Sequence, residues 1–555
     1  MNGHPAWLID LLETHRAKLA GALALVTTSS VAVLVAPWLI GQFSDLLLSG
    51  EGQGFGTFGI LALLALLLGL RSLASFAASY TLGNVSAEIA ISLRQTVFDR
   101  LQALPLAYHA DHTVGESAAY IAQDISAVTG FVTGALVNLA PLLLTLLGAF
   151  LALFWLDSRI AIATLVLLPP LYLLVRRLSR AVPGLSRDLM DAYSSNLSRV
   201  HESLWLLPLI KAFNQESDAS RKFEESNATL LSHLQQMNLA QSRIAPLSQF
   251  LAALGVLLLL AYSGFLVNTD AATPGEAISL LLYAILLTRP LSGLAAAYGQ
   301  VQAMRGSMNR LQLLFLETTE PADGREPESP VRGAIEFREV SYHYPGQEEL
   351  LTRVNLVIEP GEIVALTGNN GAGKTTLVSM LGRFREPASG AIYLDGVDIS
   401  GLSLASLRQQ VAWVLQDTHL FNMTIADNLR IGKASATEKE LNAAIEAVGL
   451  GSYLASLTDG LDHQVGDGGL RMSGGEKQKI ELARALLSER PILVLDEATA
   501  MLDSVSEERI RESLREALSG RTVILISHRE SWLSIADRIV KLEAGQVVSS
   551  DCPDR

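Results

Sequence analysis

Charge and cysteine are both scarce in this sequence. Only 18% of its 555 residues are charged, against about 25% in an ordinary soluble protein, and 49% are apolar. A wholly soluble enzyme is therefore disfavoured. The single cysteine, Cys552, excludes a disulfide within the chain and a metal site built from cysteines.

Charge is unevenly distributed along the chain. Residues 1–325 carry 19 basic and 22 acidic side chains, whereas residues 326–555 carry 23 and 34. Residues 318–333 contain three Pro, two Gly and six charged residues, a composition that marks a linker because it cannot form a helix interior. We therefore expect a membrane domain over 1–317, a linker over 318–333 and a soluble acidic domain over 334–555. The acidic charge disfavours a nucleic-acid partner, because it repels phosphates.

Six stretches with little or no charge approach the length of about 20 apolar residues that a membrane-spanning helix needs. They are Leu19–Ser44, Gly52–Ala87, Ile125–Leu156, Ile160–Val175, Ile244–Thr269 and Ala277–Met304. The first stretch follows Arg16 and Lys18 as a secretory signal would, but it is too long and lacks a convincing cleavage site. We interpret it as a retained membrane helix.

The connections between these stretches alternate between short and long. The long connection from Arg176 to Arg243 carries nine basic residues, whereas Arg159 is the one basic residue of the short connections. The positive-inside rule therefore predicts that the long connections and both termini are cytoplasmic. The composition of the long connections predicts helices that project from the membrane. Each also has a segment marked by proline, at residues 105–116 and 205–213, which either contacts another domain or is a plain helix turn.

The soluble domain contains the GxxxxGK[ST] phosphate-loop pattern between a predicted strand, 363–367, and a predicted helix that starts at Thr376. In this pattern, backbone N–H groups converge on phosphate oxygens and the helix N-terminus adds a favourable dipole. The lysine supplies a positive charge, and the threonine ligates Mg²⁺. The loop consists of Gly368, Asn369, Asn370, Gly371, Ala372, Gly373, Lys374 and Thr375.

Two adjacent carboxylates end the predicted strand 491–495. Asp496 can hold a magnesium ion, and Glu497 can polarise a water molecule. Alone, acidic residues after an apolar strand are structural more often than catalytic. Downstream of a phosphate loop, they indicate nucleotide hydrolysis.

The segment Met472-Ser473-Gly474-Gly475-Glu476 resembles the LSGGQ signature of the ATP-binding cassette (ABC) transporters. It precedes a predicted helix over Lys477–Leu487 and lies just before the Asp496-Glu497 strand, as in that family. The resemblance covers essentially all of the chain. It implies an α-helical six-span transmembrane domain followed by an α/β P-loop NTPase domain. This is the organisation of an exporter-type half-transporter, in which segments 105–116 and 205–216 are coupling helices.

The resemblance also implies roles for individual residues. Glu497, the Q-loop Gln416 and the switch histidine His528 would act in ATP hydrolysis, and Tyr344 would stack on adenine. Thr375, Gln416 and Asp496 would hold Mg²⁺. Besides Tyr344 and the phosphate loop, the nucleotide would contact Thr376, Ser473, Gly474, Gly475, Glu476 and the D-loop Asp503, and Val465-Gly-Asp467-Gly matches the X-loop.

Four positions depart from the family pattern. Met472 and Glu476 replace the Leu and Gln of the signature, and Ala500 and Met501 replace the Ser and Ala before the D-loop leucine. None of these changes removes a catalytic carboxylate or the switch histidine. The D-loop changes put in doubt how tightly the two ATP sites of a dimer communicate.

The resemblance implies that the protein exports or flips an amphipathic lipid, drug or peptide with the energy of ATP. Membrane lipids surround it, and the bacterial inner membrane, with the nucleotide-binding domain in the cytoplasm, is the expected location. The chain holds one phosphate loop and one signature, so we expect a dimer; an identical partner is favoured, and a related half-transporter is the alternative. Two other functions stay open: an exporter-shaped importer of a metal chelate and an ATP-gated membrane regulator.

Arg71 and Arg289 are cations within otherwise uncharged predicted spans. An arginine at the centre of a spanning helix is costly and faces a partner or a water-filled cavity. Both residues have either a structural role shared by exporters or a role in holding the anionic headgroup of a substrate. Ser292 stands where lipid A flippases carry a further lysine, which weakens a lipid A assignment in particular.

Overall fold

The computed structural model consists of helices followed by a domain with two sheets. It describes residues 13–48, 55–134, 139–162, 177, 180, 182–269, 271–321, 323–327, 330–466, 469, 472–498, 508, 510–511, 515 and 517–551. The chain divides into two compact units, residues 1–102 with 113–317 and residues 103–112 with 318–555. The predicted order, a helical domain followed by an α/β domain, is confirmed.

Helices form the described part of the chain up to residue 317. In chain order they are α1 (Arg16–Leu48), α2 (Phe55–Gln102), α3 (Leu106–Asp111), α4 (Val114–Ala119), a π-helix (Tyr120–Asp124), α5 (Ile125–Gly134), α6 (Ala140–Leu156), α7 (Val182–Trp205), α8 (Leu207–Ala212), α9 (Glu216–Asn268) and α10 (Pro274–Leu316). Helix α3 belongs to the second unit.

Two helices in the described parts are long and apolar enough to cross a membrane, judged by length and composition: Arg16–Leu48 and Gly56–Gln102. Shorter apolar helices or helix segments lie at Ala140–Leu156, Ala253–Asn268 and Pro274–Leu287. Most of the fourth predicted span, Ile160–Val175, lies outside the described residues. The count of six spans stays a prediction.

The long helices do not stop where the predicted spans stop. Helix α2 has 48 residues and α9 has 53, so at about 1.5 Å per residue each is more than twice as long as the hydrocarbon core of about 30 Å is thick. The helices predicted for the long connections, after residue 87 and before residue 244, are continuous with the helices of the apolar stretches. No proline interrupts α2, and Pro246 is accommodated inside α9.

The two proline-marked segments form short helices. Pro105 precedes α3, which ends at Asp111 with His112 as its C-cap, and Thr113 then caps α4 with Glu116 in a reciprocal capping box. Pro208 lies in the first turn of α8, where the missing N–H of proline costs no helix hydrogen bond.

Close packing of α1 against α10 depends on two glycines. A Cβ atom at Gly275 would lie 2.1 Å from the carbonyl oxygen of Gly41, so no side chain fits there. Asp45 on α1 accepts hydrogen bonds from the Gly275 N–H (2.6 Å) and the Thr273 hydroxyl (2.8 Å). Small residues at membrane-helix contacts permit this approach.

Two sheets form the core of the second unit. The strands are β1 (Ile335–His343), β2 (Glu349–Ile358), β3 (Ile363–Thr367), β4 (Ser389–Leu394), β5 (Val397–Asp398), β6 (Val411–Val414), β7 (Ile492–Asp496), β8 (Thr522–Ile526), β9 (Arg538–Glu543) and β10 (Gln546–Asp551). The four-stranded sheet is antiparallel, in the order β2-β1-β4-β5, and the six-stranded sheet has the order β10-β9-β3-β8-β7-β6.

Helices cover this domain. They are α11 (Lys374–Ser379), α12 (Leu404–Gln410), α13 (Ile425–Arg430), α14 (Glu438–Ala447), α15 (Gly451–Ser456), α16 (Gly474–Leu487) and α17 (Glu530–Leu533). Strands β7 and β8 are buried along their whole length, as expected of parallel strands covered on both faces.

The topology of the larger sheet places the functional segments together. Strands β3, β8, β7 and β6 are parallel neighbours, so their carboxyl ends lie along one edge. The phosphate loop follows β3, His528 follows β8, Glu497 follows β7 and Gln416 follows β6. Ligands of open parallel sheets bind at such an edge.

Candidate nucleotide-binding site

The phosphate loop depends on three glycines with positive φ. The φ angles of Gly368, Gly371 and Gly373 are +143°, +81° and +96°, which side chains rarely permit. A Cβ at Gly368 would also lie 2.1 Å from the Leu542 carbonyl oxygen. The helix after the loop begins at Lys374, two residues earlier than predicted, because the helical turn forms directly after Gly373.

Lys374 is buried within the loop. Its Nζ donates hydrogen bonds to the carbonyl oxygens of Gly368 (2.7 Å) and Asn369 (3.1 Å). Burial lowers the pKa of Lys374, and the nearby carboxylates of Glu497 and Asp496 oppose that shift. The loop therefore holds a cation beside two acidic side chains.

Asp496 ends β7 and is buried. Burial raises the pKa of its carboxyl; the hydroxyl of Thr375, which hydrogen bonds to it, lowers that pKa, Glu497 raises it and Lys374 lowers it. Its Oδ1 is buried and has no hydrogen-bond partner among the described residues. A carboxylate oxygen left bare beside a threonine hydroxyl fits the oxygen ligands that Mg²⁺ prefers.

Glu497 occupies a strained backbone position beside Asp496. Its φ angle is +49°, and its N–H donates to the Ile526 carbonyl oxygen of β8 at 3.0 Å. Non-glycine residues held in this region concentrate at functional sites. The side chain of Glu497 accepts a hydrogen bond of 3.5 Å from Gln416 Nε2, so the structure brings these two predicted residues together.

His528 lies two residues after β8 and its side chain is exposed. The turn that presents it is closed by the Arg529 N–H, which donates to Ser527 Oγ at 3.1 Å. The histidine is thus on the same edge of the sheet as Glu497.

Tyr344 approaches the first turn of the phosphate-loop helix. Its hydroxyl lies 3.2 Å from Thr376 Oγ1, the residue after Thr375. The ring of Tyr342 contacts that of Tyr344 edge-on, with centroids 5.2 Å apart. An aromatic ring fixed beside the phosphate loop is suited to stack on a base.

The signature segment forms the start of α16. The Ser473 side chain accepts from the Glu476 N–H (3.3 Å), and Glu476 accepts from the Ser473 N–H (2.8 Å), forming a capping box. The predicted start at Lys477 is therefore three residues late: Gly474 and Gly475 belong to the first turn because Ser473 caps it. Met472 is buried in the core beside the helix. The cap gives Glu476, which departs from the family pattern, a structural role.

Some predicted residues lie outside the described part of the chain. These are the D-loop, with Ala500, Met501 and Asp503, and Asp467 of the X-loop. Conversely, no sequence pattern indicated Arg385, which lies over the Tyr344 ring, or the buried Glu481 of α16. A lone arginine or glutamate carries no signal in sequence, because its contacts come from distant segments.

Comparisons with known proteins agree with this geometry. The family described as ABC transporter transmembrane region matches residues 19–291, and the family described as ABC transporter matches residues 351–500. The ATP-dependent lipid A-core flippase of Thiobacillus denitrificans is 34% identical over 484 residues, which are 87% of this chain and 83% of the flippase. The protein of the same name from Ralstonia nicotianae is 35% identical over 488 residues, covering 87% and 82%.

A solved structure is similar over nearly the whole chain. A bacterial Atm1-family ABC exporter with ATP bound superposes with a TM-score of 0.87 at 26% identity, covering 97% of this chain and 95% of the exporter. The similarity includes both the helical and the sheet-containing domain.

Proposed function

Because the chain belongs to the ABC transporter family, we propose that it moves an amphipathic lipid across a bacterial membrane. It is a multi-pass membrane protein and an ATPase coupled to transport of an amphipathic substrate. The lipid class, the inner membrane and the cytoplasmic position of the ATPase domain are the parts that we propose.

The position of four residues supports their proposed roles in ATP hydrolysis. They lie along the carboxyl edge of adjacent parallel strands and are Lys374, Asp496, Glu497 and Gln416. The loop amides and Lys374 would bind the phosphates, and Glu497, held by Gln416, would orient the attacking water. Thr375, Asp496 and Gln416 would hold Mg²⁺, which neutralises charge on the phosphate oxygens when bound.

We propose that two copies form the working unit. Each chain has one phosphate loop and one signature, and in this family a nucleotide is sandwiched between the loop of one subunit and the signature of the other. A partner with the same sequence would give two equivalent sites related by a two-fold axis. A related half-transporter as partner is the alternative.

A lipid substrate is supported by the relatives that are named lipid A-core flippases. Arg71 adds a second argument, since it is an exposed cation on the apolar helix α2, and an anionic headgroup would pair with it. The side chain of Arg289 lies outside the described residues. Arg71→Ala is expected to remove stimulation of ATP hydrolysis by an anionic lipid while basal hydrolysis stays near that of the wild type.

Motion of the ATPase domain needs a mechanical link to the membrane helices. Within the second unit, Glu320 joins α3 to the rest of that unit: its N–H donates to the Ala103 carbonyl oxygen just before α3 (2.9 Å), and its carboxylate forms two hydrogen bonds with Arg408 (2.7 and 2.8 Å). Arg408 lies on α12, which leads directly into β6 and Gln416. These contacts support a coupling role for α3.

The direction of transport separates this proposal from a metal-chelate importer. Inside-out membrane vesicles containing the protein should accumulate a fluorescent anionic lipid probe in their inner leaflet when ATP is added outside. Accumulation only in right-side-out vesicles, with ATP inside, would favour the importer. ATP binding without turnover or transport would favour the gated regulator.

A further inference from the structure

Three side chains surround the ring of Tyr344. The Cζ of Arg385 lies over the ring, 4.8 Å from its centroid, and the Thr376 hydroxyl and Tyr342 ring provide the other two contacts. Arg385 is itself oriented, because its Nη1 donates a hydrogen bond of 3.1 Å to the Tyr342 hydroxyl. Tyr342 is buried and thus provides a fixed anchor.

This arrangement joins two distant parts of the domain. Tyr342 and Tyr344 lie at and just beyond the end of β1, whereas Arg385 follows the 3₁₀ turn Met380–Gly382 that continues the phosphate-loop helix. Thr376 and Arg385 therefore contact the tyrosine from one continuous segment, the phosphate-loop helix and the residues that follow it. A tyrosine side chain held at its hydroxyl and on one face has little freedom left to rotate.

We propose that Arg385 is a positioning residue for nucleotide binding: it covers one face of the Tyr344 ring and holds the opposite face ready to stack on the purine. The inference rests on the proposed nucleotide site, in which Tyr344 stacks on the base. A guanidinium and a base cannot occupy the same face of one ring, so the contact with Arg385 decides which face receives the base. Fixing the ring before the nucleotide arrives improves affinity by lowering the ordering cost of binding.

Kinetics of the purified full-length protein test this role. Arg385→Gln removes the cation, and we expect the KM for ATP to rise about threefold to tenfold, the range that a cation–π contact supplies, with kcat little changed. Arg385→Lys keeps a cation and should recover part of the loss. Inorganic tripolyphosphate, which has no base, should inhibit the wild type and both variants with the same inhibition constant.

A matched control lies in the same domain. Arg338 sits over the ring of Tyr393, 4.2 Å from its centroid, in a strand pair of the four-stranded sheet, and both side chains lie outside the proposed nucleotide site. Arg338→Gln should leave the KM for ATP unchanged.

The possible results distinguish failure of the positioning role of Arg385 from failure of the proposed function. An unchanged KM in Arg385→Gln would overturn the positioning role, and so would a parallel rise of the tripolyphosphate constant, because that would indicate a disturbed phosphate loop. If Arg385→Lys recovered none of the lost affinity, the claim that the positive charge of Arg385 positions the ring would be wrong. Absence of ATP hydrolysis by the wild type would instead refute the proposed function.

Discussion

Gln416 Nε2 donates a hydrogen bond of 3.5 Å to Glu497 Oε2, although the two residues are 81 positions apart. The contact forms because β6 and β7 are parallel neighbours whose carboxyl ends lie side by side. It links the loop that follows β6 to the carboxylate proposed to orient water.

Removing the charge of Glu497 should abolish turnover but not binding. Glu497→Gln keeps the shape of the side chain while removing the group that orients water, so phosphate release should fall at least roughly 100-fold while ATP is retained. Lys374→Ala should lose binding itself. Steady-state phosphate release beside nucleotide retention measures both. Substantial hydrolysis by Glu497→Gln would remove Glu497 from its proposed role.

Asp496 should control the requirement for magnesium. Asp496→Asn keeps the size of the side chain but removes the charge of the carboxylate, whose buried Oδ1 has no hydrogen-bond partner among the described residues. The Mg²⁺ concentration for half-maximal ATPase activity should therefore rise at least roughly tenfold. Chelation with EDTA should stop hydrolysis by the wild type. An unaltered magnesium dependence in the variant would exclude Asp496 as a ligand.

Glu481 should make the stability of the protein depend on pH. Its Oε1 accepts from the His419 N–H (3.1 Å), and its Oε2 is buried without a partner among the described residues. Burial raises the pKa of this carboxyl from 4.5 to about 7, against the opposing effects of the His419 N–H and Arg484. The charged side chains on neighbouring helices α13 and α14 are exposed or partly exposed: Asp427, Arg430, Glu438, Lys439, Glu440 and Glu446.

The sign of the effect follows from the raised pKa. Below pH 4.5 the carboxyl of Glu481 is neutral and its contribution to the stability of the folded state is fully present. This contribution is lost as the pH rises through about 7. Glu481→Gln stays neutral, so its apparent melting temperature relative to the wild type should be higher at pH 8.5 than at pH 6. Exposed Glu446 serves as the control, and Glu446→Gln should show no such pH dependence. A constant difference for Glu481→Gln would contradict the raised pKa.

Two copies should meet at the proposed ATP site. In a Cys552→Ser background, cysteines introduced at the exposed Asn370 and at Ser473 should form a disulfide between subunits when ATP is bound. The product would run at twice the 59.6 kDa of the chain on a non-reducing gel. Either single cysteine variant is the control and should give far less of this band. A cross-link confined to one chain would refute the shared site.

The sequence predicted most of what is local in this structure. The pattern around Gly373 and Lys374 requires a strand, a tight glycine loop and a helix, and the structure contains them, with only the helix start displaced. The start of α16 was placed too late because glycines count against a helix, whereas the Ser473–Glu476 capping box compensates for them.

Contacts between segments that are distant in sequence cannot be predicted from local sequence patterns. The order β3-β8-β7-β6 decides that Gln416 lies beside Glu497, and no spacing in the sequence encodes that order. The contact of Arg385 with Tyr344 likewise depends on how two segments fold together. The family resemblance supplied the identity of Gln416, Tyr344 and His528, but not these distances.

In the proposed function, ATP hydrolysis at the Glu497 site moves a lipid across the membrane. Proteoliposomes containing a fluorescent anionic phospholipid allow phosphate release and lipid translocation to be recorded in the same sample. We expect ATP-dependent translocation by the wild type and loss of both signals in Glu497→Gln. Translocation at the wild-type rate by Glu497→Gln, or vigorous hydrolysis by the wild type with no lipid movement, would contradict it.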